Sequence, residues 1–154
     1  MTRLFNNKPK VILVAEDNPA DQELLKRIFE KHGVNAEMHI VDDGIDLLNY
    51  LKAKTNSMPK PSNPRPDIIL LDINMPRMDG KQALKAIKED KNLKDIPVIM
   101  FTTSHHERDI NESYFLGASS YITKPADIEE FDQFVKHFND YWFSTVKLPI
   151  KNND

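Results

Sequence analysis

Asp72 closes the apolar run Ile68-Ile69-Leu70-Leu71 and opens Ile73-Asn74-Met75-Pro76, a stretch that ends in Asp79-Gly80. A carboxylate at the end of a buried strand is costly to desolvate and invites a chemical explanation. Three other apolar runs also end on polar groups: Val11 to Ala15 on Glu16-Asp17, Val98 to Phe101 on Thr102, and Tyr121 to Thr123 on Lys124-Pro125. If these runs are parallel strands of one sheet, their carboxyl ends converge on one crevice. Glu16, Asp17 and Asp72 would then lie together, and one close pair repels by about 4 kcal/mol at an effective dielectric of about 20. Lys124 offsets one of the three negative charges, leaving two for a divalent cation. An all-oxygen set with few protein ligands favours Mg²⁺ that retains several waters over a caged Ca²⁺, with Mn²⁺ able to substitute. Beside such an ion Asp72 is placed to attack a phosphoryl group whose oxygens the ion, the Lys124 ammonium and the Thr102 hydroxyl can hold, giving an aspartyl phosphate. No general base is needed, because the carboxylate is already ionised; positioning and charge stabilisation do the rest.

These groups need a scaffold, and the patterning supplies one. Short continuous apolar runs separated by helix-period segments read as strands buried on both faces, with helices as right-handed crossovers. Pro19 to Lys31 carries Leu24, Leu25, Ile28 and Phe29 at helical spacing and meets Gly33 as a stop. Ala36 to Val41 is the second strand, turned by Asp42-Asp43-Gly44. Leu47, Leu48 and Leu51 mark the second helix, and Ala83, Leu84 and Ile87 the third. A weaker helix spans about Ile110 to Leu116 and stops at Gly117. The last runs from about Asp127 with Phe131, Phe134, Val135 and Phe138 on one face. Five strands alternating with five helices make a doubly wound α/β domain with a parallel sheet.

At 154 residues the chain suits one domain, so any output must come from that domain's own surface. A net charge of −3 with mixed signs gives no basic stripe, and nucleic acid is not expected as a partner. Cysteine is absent, which excludes disulfides and thiolate metal sites. No stretch approaches membrane-spanning length and the polar start lacks an apolar signal core, so a soluble, cytoplasmic protein without membrane contact is expected.

The acidic pair Glu16-Asp17, the stretch LLDINMPRMDG around Asp72, Thr102, the GASSY segment and Lys124-Pro125 stand together in the order and spacing of a known family. In these motifs the chain resembles the receiver domain of two-component response regulators, over Lys10 to roughly Tyr141. The resemblance implies a flavodoxin-like sheet of order 2-1-3-4-5 and phosphoryl transfer from a sensor histidine kinase onto Asp72. It implies Mg²⁺ ligation by Asp17, Asp72 and the Asn74 backbone carbonyl, with Glu16 holding water on the metal. Thr102 would bond the phosphoryl group, Lys124 would pair with it, and Tyr121 would be the switch aromatic. Asn74 and Ser104 would tune the attacking water, and a cis Lys124-Pro125 bond would aim the lysine. Glu16 stands where many receivers have Asp, and Thr103 where Ala or Gly is common. The implied division is an N-terminal segment 1–9, a receiver domain 10–141 and a C-terminal extension 142–154. In that extension the pattern from Trp142 through Val146, Leu148 and Pro149 is similar to the tail of small stand-alone response regulators paired with bacterial phytochrome kinases. A downstream protein partner is expected, as is a homodimer contact through this tail, in competition with simple packing of the tail on the domain.

Other readings compete. A haloacid-dehalogenase-type phosphatase also uses Asp, Ser/Thr, Lys and Mg²⁺ on an α/β sheet, but needs Asp-x-Asp, where this chain has Asn74. A phosphorylation-independent interaction domain would not need Asp17, Asp72, Thr102 and Lys124 intact. Pro76 and Arg77 break an EF-hand reading of Asp72-x-Asn74, and Gly80-Lys81 lacks the upstream glycine of a P-loop. His105-His106 reads as a solvated loop, and Asn111-Glu112-Ser113 as an accidental sequon. The proline-rich stretch 58–66 reads as a stiff spacer or a partner-contacting loop.

Overall fold

The computed structural model describes residues 8–52 and 63–151. The strands are β1 Lys10–Ala15, β2 Ala36–Val41, β3 Ile68–Leu71, β4 Val98–Thr102 and β5 Ser120–Thr123. The helices are α1 Pro19–Lys31, α2 Gly44–Lys52, α3 Gly80–Glu89, α4 Glu107–Phe115 and α5 Ile128–Phe138, the last running on into a π-helical turn at Asn139–Phe143. All strand pairs are parallel and the sheet order is β2-β1-β3-β4-β5, as the resemblance implies.

Side chains alternate across the sheet with a period of two. Leu13, Ala15, Ile69, Leu71, Val98 and Met100 pack on α2 and α3 through Leu47, Leu51, Ala83, Leu84 and Ile87. Ile12, Val14, Ile68, Leu70, Ile99 and Phe101 pack on α1 and α5 through Leu25, Ile28, Phe29, Phe131, Val135 and Phe138. Burial on both faces holds for β1, β3 and β4; β2 and β5 are edge strands and only half-buried.

Local chemistry sets the helix starts. Asn18 caps α1 by accepting from the Ala20 and Asp21 amides at 2.9 and 3.2 Å, with Pro19 at the first helical position. Asp79 and Gln82 form a capping box on α3. Gly80 is required there, since a Cβ would fall 2.0 Å from the Asp72 carbonyl oxygen. Helix α4 begins three residues before the position expected from its pattern, at Glu107. Ser113 is its one buried residue among those described, so it has no apolar stripe to mark its start, and His106 gives it no side-chain cap.

The tail folds back on the domain. Trp142 and Phe143 pack against the α1–α5 side of the core, with the Phe143 ring 5.7 Å from that of Phe138. Lys151 pairs with Asp67 at 3.2 Å. Val146 and Leu148 are half-buried too, so the exposed patch expected of Trp142, Phe143, Val146 and Leu148 is not found; the exposed large apolar groups of the described tail are Tyr141 and Ile150, at 53% and 97%. Of the proline-rich stretch, residues 58–62 lie outside the described residues; Pro64 beyond them accepts from the Tyr50 hydroxyl at 2.7 Å. Among the described residues no helix is long and apolar enough to cross a membrane.

Candidate active site

Four strand ends meet as expected. The Glu16 amide donates to the Val41 carbonyl at 3.0 Å and the Asp72 amide to the Ala15 carbonyl at 3.1 Å, which fixes the acidic pair beside Asp72 at the carboxyl edge. Glu16, Asp17 and Asp72 each offer a carboxylate oxygen, and these oxygens lie within 4.8 Å of one another. Glu16 and Asp72 are buried and Asp17 is exposed, so the cluster opens to solvent on the Asp17 side. One Asp72 oxygen accepts from the Ile73 amide at 2.7 Å and the other from Lys124 Nζ at 3.1 Å.

The electrostatics are lopsided. Burial pushes the Glu16 carboxyl up to about 7, against the pull of Lys124 and the Asn18 amide. Its Oε2 accepts from Asn18 at 3.0 Å. Its Oε1 lies 2.6 Å from Lys124 Nζ, an ion pair by distance, yet takes no well-directed hydrogen bond. Burial works against the charge on Lys124, but Glu16, Asp21 and Asp72 outweigh it and raise the ammonium above the ordinary lysine range. A buried, incompletely bonded carboxylate oxygen in an all-oxygen cluster fits a hard divalent cation or its water.

Thr102 ends β4 fully buried, and its carbonyl accepts from the Lys124 amide at 2.7 Å. The Lys124–Pro125 bond is not cis, contrary to the implication of the family resemblance; every described peptide bond is trans. The β4–β5 register already carries the lysine to the crevice. Tyr121 is half-buried, and its hydroxyl donates to the Ser104 carbonyl at 2.8 Å. Ser104 turns its own hydroxyl to Asp109, which pairs with Lys81, so in this state its hydroxyl serves the α3–α4 contact. Asn74 is exposed two residues beyond Asp72. His105 and His106 stack on each other, their ring centroids 5.7 Å apart, on exposed backbone.

Two groups escape the sequence reading. Asp21, in the first turn of α1, lies 2.9 Å from Lys124 Nζ, making three carboxylates around one ammonium. The available signal was its position one helical turn beyond Asp17, just after a proline that starts a helix. Arg77 adopts a left-handed φ of 67° in the loop after β3 and bonds Asp43 and Asp46 at 2.7 and 2.9 Å. These two ion pairs tie that loop to the start of α2 and accompany a backbone conformation that L-residues rarely adopt.

Chemically, the arrangement offers a fixed anionic nucleophile, a cation-binding carboxylate set, a buried ammonium and a buried hydroxyl. Residues 12–136 match the model of the response regulator receiver domain. The chain is 37% identical over 144 residues to the response regulator Rcp1 of Synechocystis sp., covering 94% of this chain and 96% of that one. The Mn²⁺-bound crystal structure of Rcp1 superposes with a TM-score of 0.82, covering 92% of this chain and 100% of that one at 37% identity. The phosphorylated cyanobacterial phytochrome response regulator RcpA gives a TM-score of 0.83 at 40% identity, over 92% and 99% of the two chains.

Proposed function

The chain belongs to the response regulator receiver family, and from that membership we propose that Asp72 accepts a phosphoryl group from a sensor histidine kinase and switches a protein-interaction surface. The observation that carries this is the setting of Asp72, buried between the Ile73 amide and the Lys124 ammonium at the edge of an acidic cluster. An Asp72 oxygen forms a bond to phosphorus as the phosphorus–nitrogen bond of a phosphohistidine breaks. The electron pair leaves with the imidazole nitrogen. Lys124 and the Thr102 hydroxyl hold phosphoryl oxygens while the charge shifts.

Glu16, Asp17, Asp72 and the Asn74 backbone carbonyl would hold Mg²⁺, or Mn²⁺ in its place, Glu16 through water. Bound there, the ion neutralises excess negative charge and steadies the phosphoryl oxygens. Movement of Thr102 towards the phosphoryl group, followed by Tyr121 leaving the Ser104 carbonyl, would relay the change to α4 and β5. The protein then catalyses only its own phosphorylation and dephosphorylation, in the cytoplasm, without nucleic acid or membrane. The likeness to the phytochrome response regulator RcpA supports a phytochrome-type kinase as donor, and an unidentified protein is the proposed target. We retain the division into an N-terminal segment 1–9, a receiver domain 10–141 and a C-terminal extension 142–154.

The test is intact mass after incubation with acetyl phosphate. One phosphoryl group should add in the presence of Mg²⁺, and neither chelated protein nor Asp72→Asn should gain it. Equal labelling of Asp72→Asn would refute the assignment. For the tail, Tyr141 and Ile150 are the apolar groups left for a homodimer contact. Sedimentation should show a dimer that Tyr141→Ser with Ile150→Ser disrupts; a full chain that stays monomeric with beryllofluoride bound would remove that contact.

A further inference from the structure

Lys124 has three carboxylate partners, and only Glu16 and Asp72 belong to the cluster suited to a cation. The third, Asp21, reaches in from α1, its Oδ2 at 2.9 Å from Nζ against 3.1 Å for Asp72 and 2.6 Å for Glu16. An ammonium carries three N–H donors and no acceptor; two of them bond Asp21 and Asp72, and Glu16 crowds the third side as an ion pair by distance. The Lys124 side chain is only 7% exposed, which leaves little room for water to stand in as a further partner. Any phosphoryl oxygen that is to be paired with Lys124 must therefore displace one of the three.

The three are not equally easy to displace. Glu16 is 1% exposed and held through its other oxygen by the Asn18 amide. Asp72 carries the phosphoryl group itself. Asp21 is 27% exposed at the mouth of the crevice, where water can solvate its released carboxylate, and it sits in a first helical turn that favours a negative charge. Its release is the least costly. Resting on the phosphoacceptor reading above, we propose that Asp21 is a positioning residue that holds Lys124 in the phosphoryl-free state and competes with the phosphoryl group for its ammonium. It thereby lowers the stability of the phosphorylated form and shortens its life.

The experiment measures beryllofluoride affinity at saturating Mg²⁺ for the full chain, Asp21→Asn and Asp21→Glu, with aspartyl-phosphate decay followed in parallel by intact mass. Asp21→Asn should bind the phosphoryl mimic about 2- to 5-fold more tightly, as loss of one partly exposed ion pair allows, and should lose phosphate more slowly. Asp21→Glu, which restores the charge and its reach, should return towards the parent protein. A purely structural role would move the melting temperature and leave affinity alone, and unchanged or weaker binding by Asp21→Asn overturns the proposal. So does a gain that vanishes at high salt, because a remote charge is screened whereas a contacting competitor is screened much less. If the unmodified chain binds no beryllofluoride and takes up no phosphate, the phosphoacceptor reading falls and this proposal falls with it. If that chain binds normally and Asp21→Asn matches it, only the role of Asp21 is lost.

Discussion

Strand β3 has an aspartate just before it and another just after it, Asp67 and Asp72, and both side chains are 8% exposed. Each pairs with a lysine, yet they do different work. Asp67 accepts from the Val11 amide at 2.8 Å, tying β3 to β1 across 56 residues of sequence, and its lysine comes from the tail. Asp72 accepts from its own neighbour Ile73 and shares Lys124 with Glu16 and Asp21. Burial and an ion pair are thus common to a structural and a chemical carboxylate. What separates them is charge balance: Asp67 pairs with Lys151, while Asp72 shares its ammonium with two other carboxylates and lies beside Asp17 as well. The excess negative charge around Asp72 is what a cation or a phosphoryl-transfer site uses.

The sharpest test of that contrast is reciprocal. Asp72→Asn should abolish Mg²⁺-dependent phosphate uptake and leave urea stability level or higher, since one of several mutually repelling charges is gone. Asp67→Ala should label normally and lose about 1–3 kcal/mol of stability, because the Val11 amide is left buried without its acceptor. If Asp67→Ala blocked uptake, or Asp72→Asn lost stability as Asp67→Ala does, the two ends of β3 would not be distinct. Next in size is Lys124→Met, which should stop efficient uptake and cost about 3–5 kcal/mol in the metal-free protein by leaving buried carboxylates uncompensated. Added Mg²⁺ should recover part of that loss in a denaturant titration. A smaller effect is expected from Thr102→Ala and Tyr121→Ala, which should still take up phosphate but lose its influence on amide exchange between Thr102 and Tyr121. Retention of the parent response in both would disconnect these residues from switching. The smallest effect belongs to Lys151→Ala: its half-exposed pairing with Asp67 should contribute about 0.2–1 kcal/mol, read from the urea midpoint, with uptake untouched.

Where local signals agree, the sequence is enough. Pro19 at a helix start, an apolar stripe through Leu25, Ile28 and Phe29, and Gly33 in a left-handed turn give the observed bounds of α1. Ala36–Val41 is equally legible because turn residues flank it. The convergence of Glu16, Asp17, Asp72, Thr102 and Lys124 follows from polar residues ending successive parallel strands. Asp21 was not legible because an aspartate in a first helical turn already has a local reason to be there, its interaction with the helix dipole. Arg77 was hidden for a related reason: left-handed backbone is sought at glycine, and only the Asp43 and Asp46 contacts explain an arginine there. The tail's packing depended on which apolar groups of α5 and the core remained uncovered, and that is a property of the assembled fold.

Helix α4 carries one more consequence. Its buried residue is a serine, Phe115 is already 89% exposed, and Lys81 of α3 grips it through Asp109 and Glu112. Helix α5, by contrast, buries Phe131, Val135 and Phe138. Heat-capacity change follows apolar area uncovered. A rearrangement of α4 would therefore proceed with a small heat-capacity change, and its two-state ratio would follow a nearly straight van 't Hoff line. A switch built on α5 would curve strongly with temperature, whereas the temperature response of a signal carried by α4 would be set by one nearly constant enthalpy.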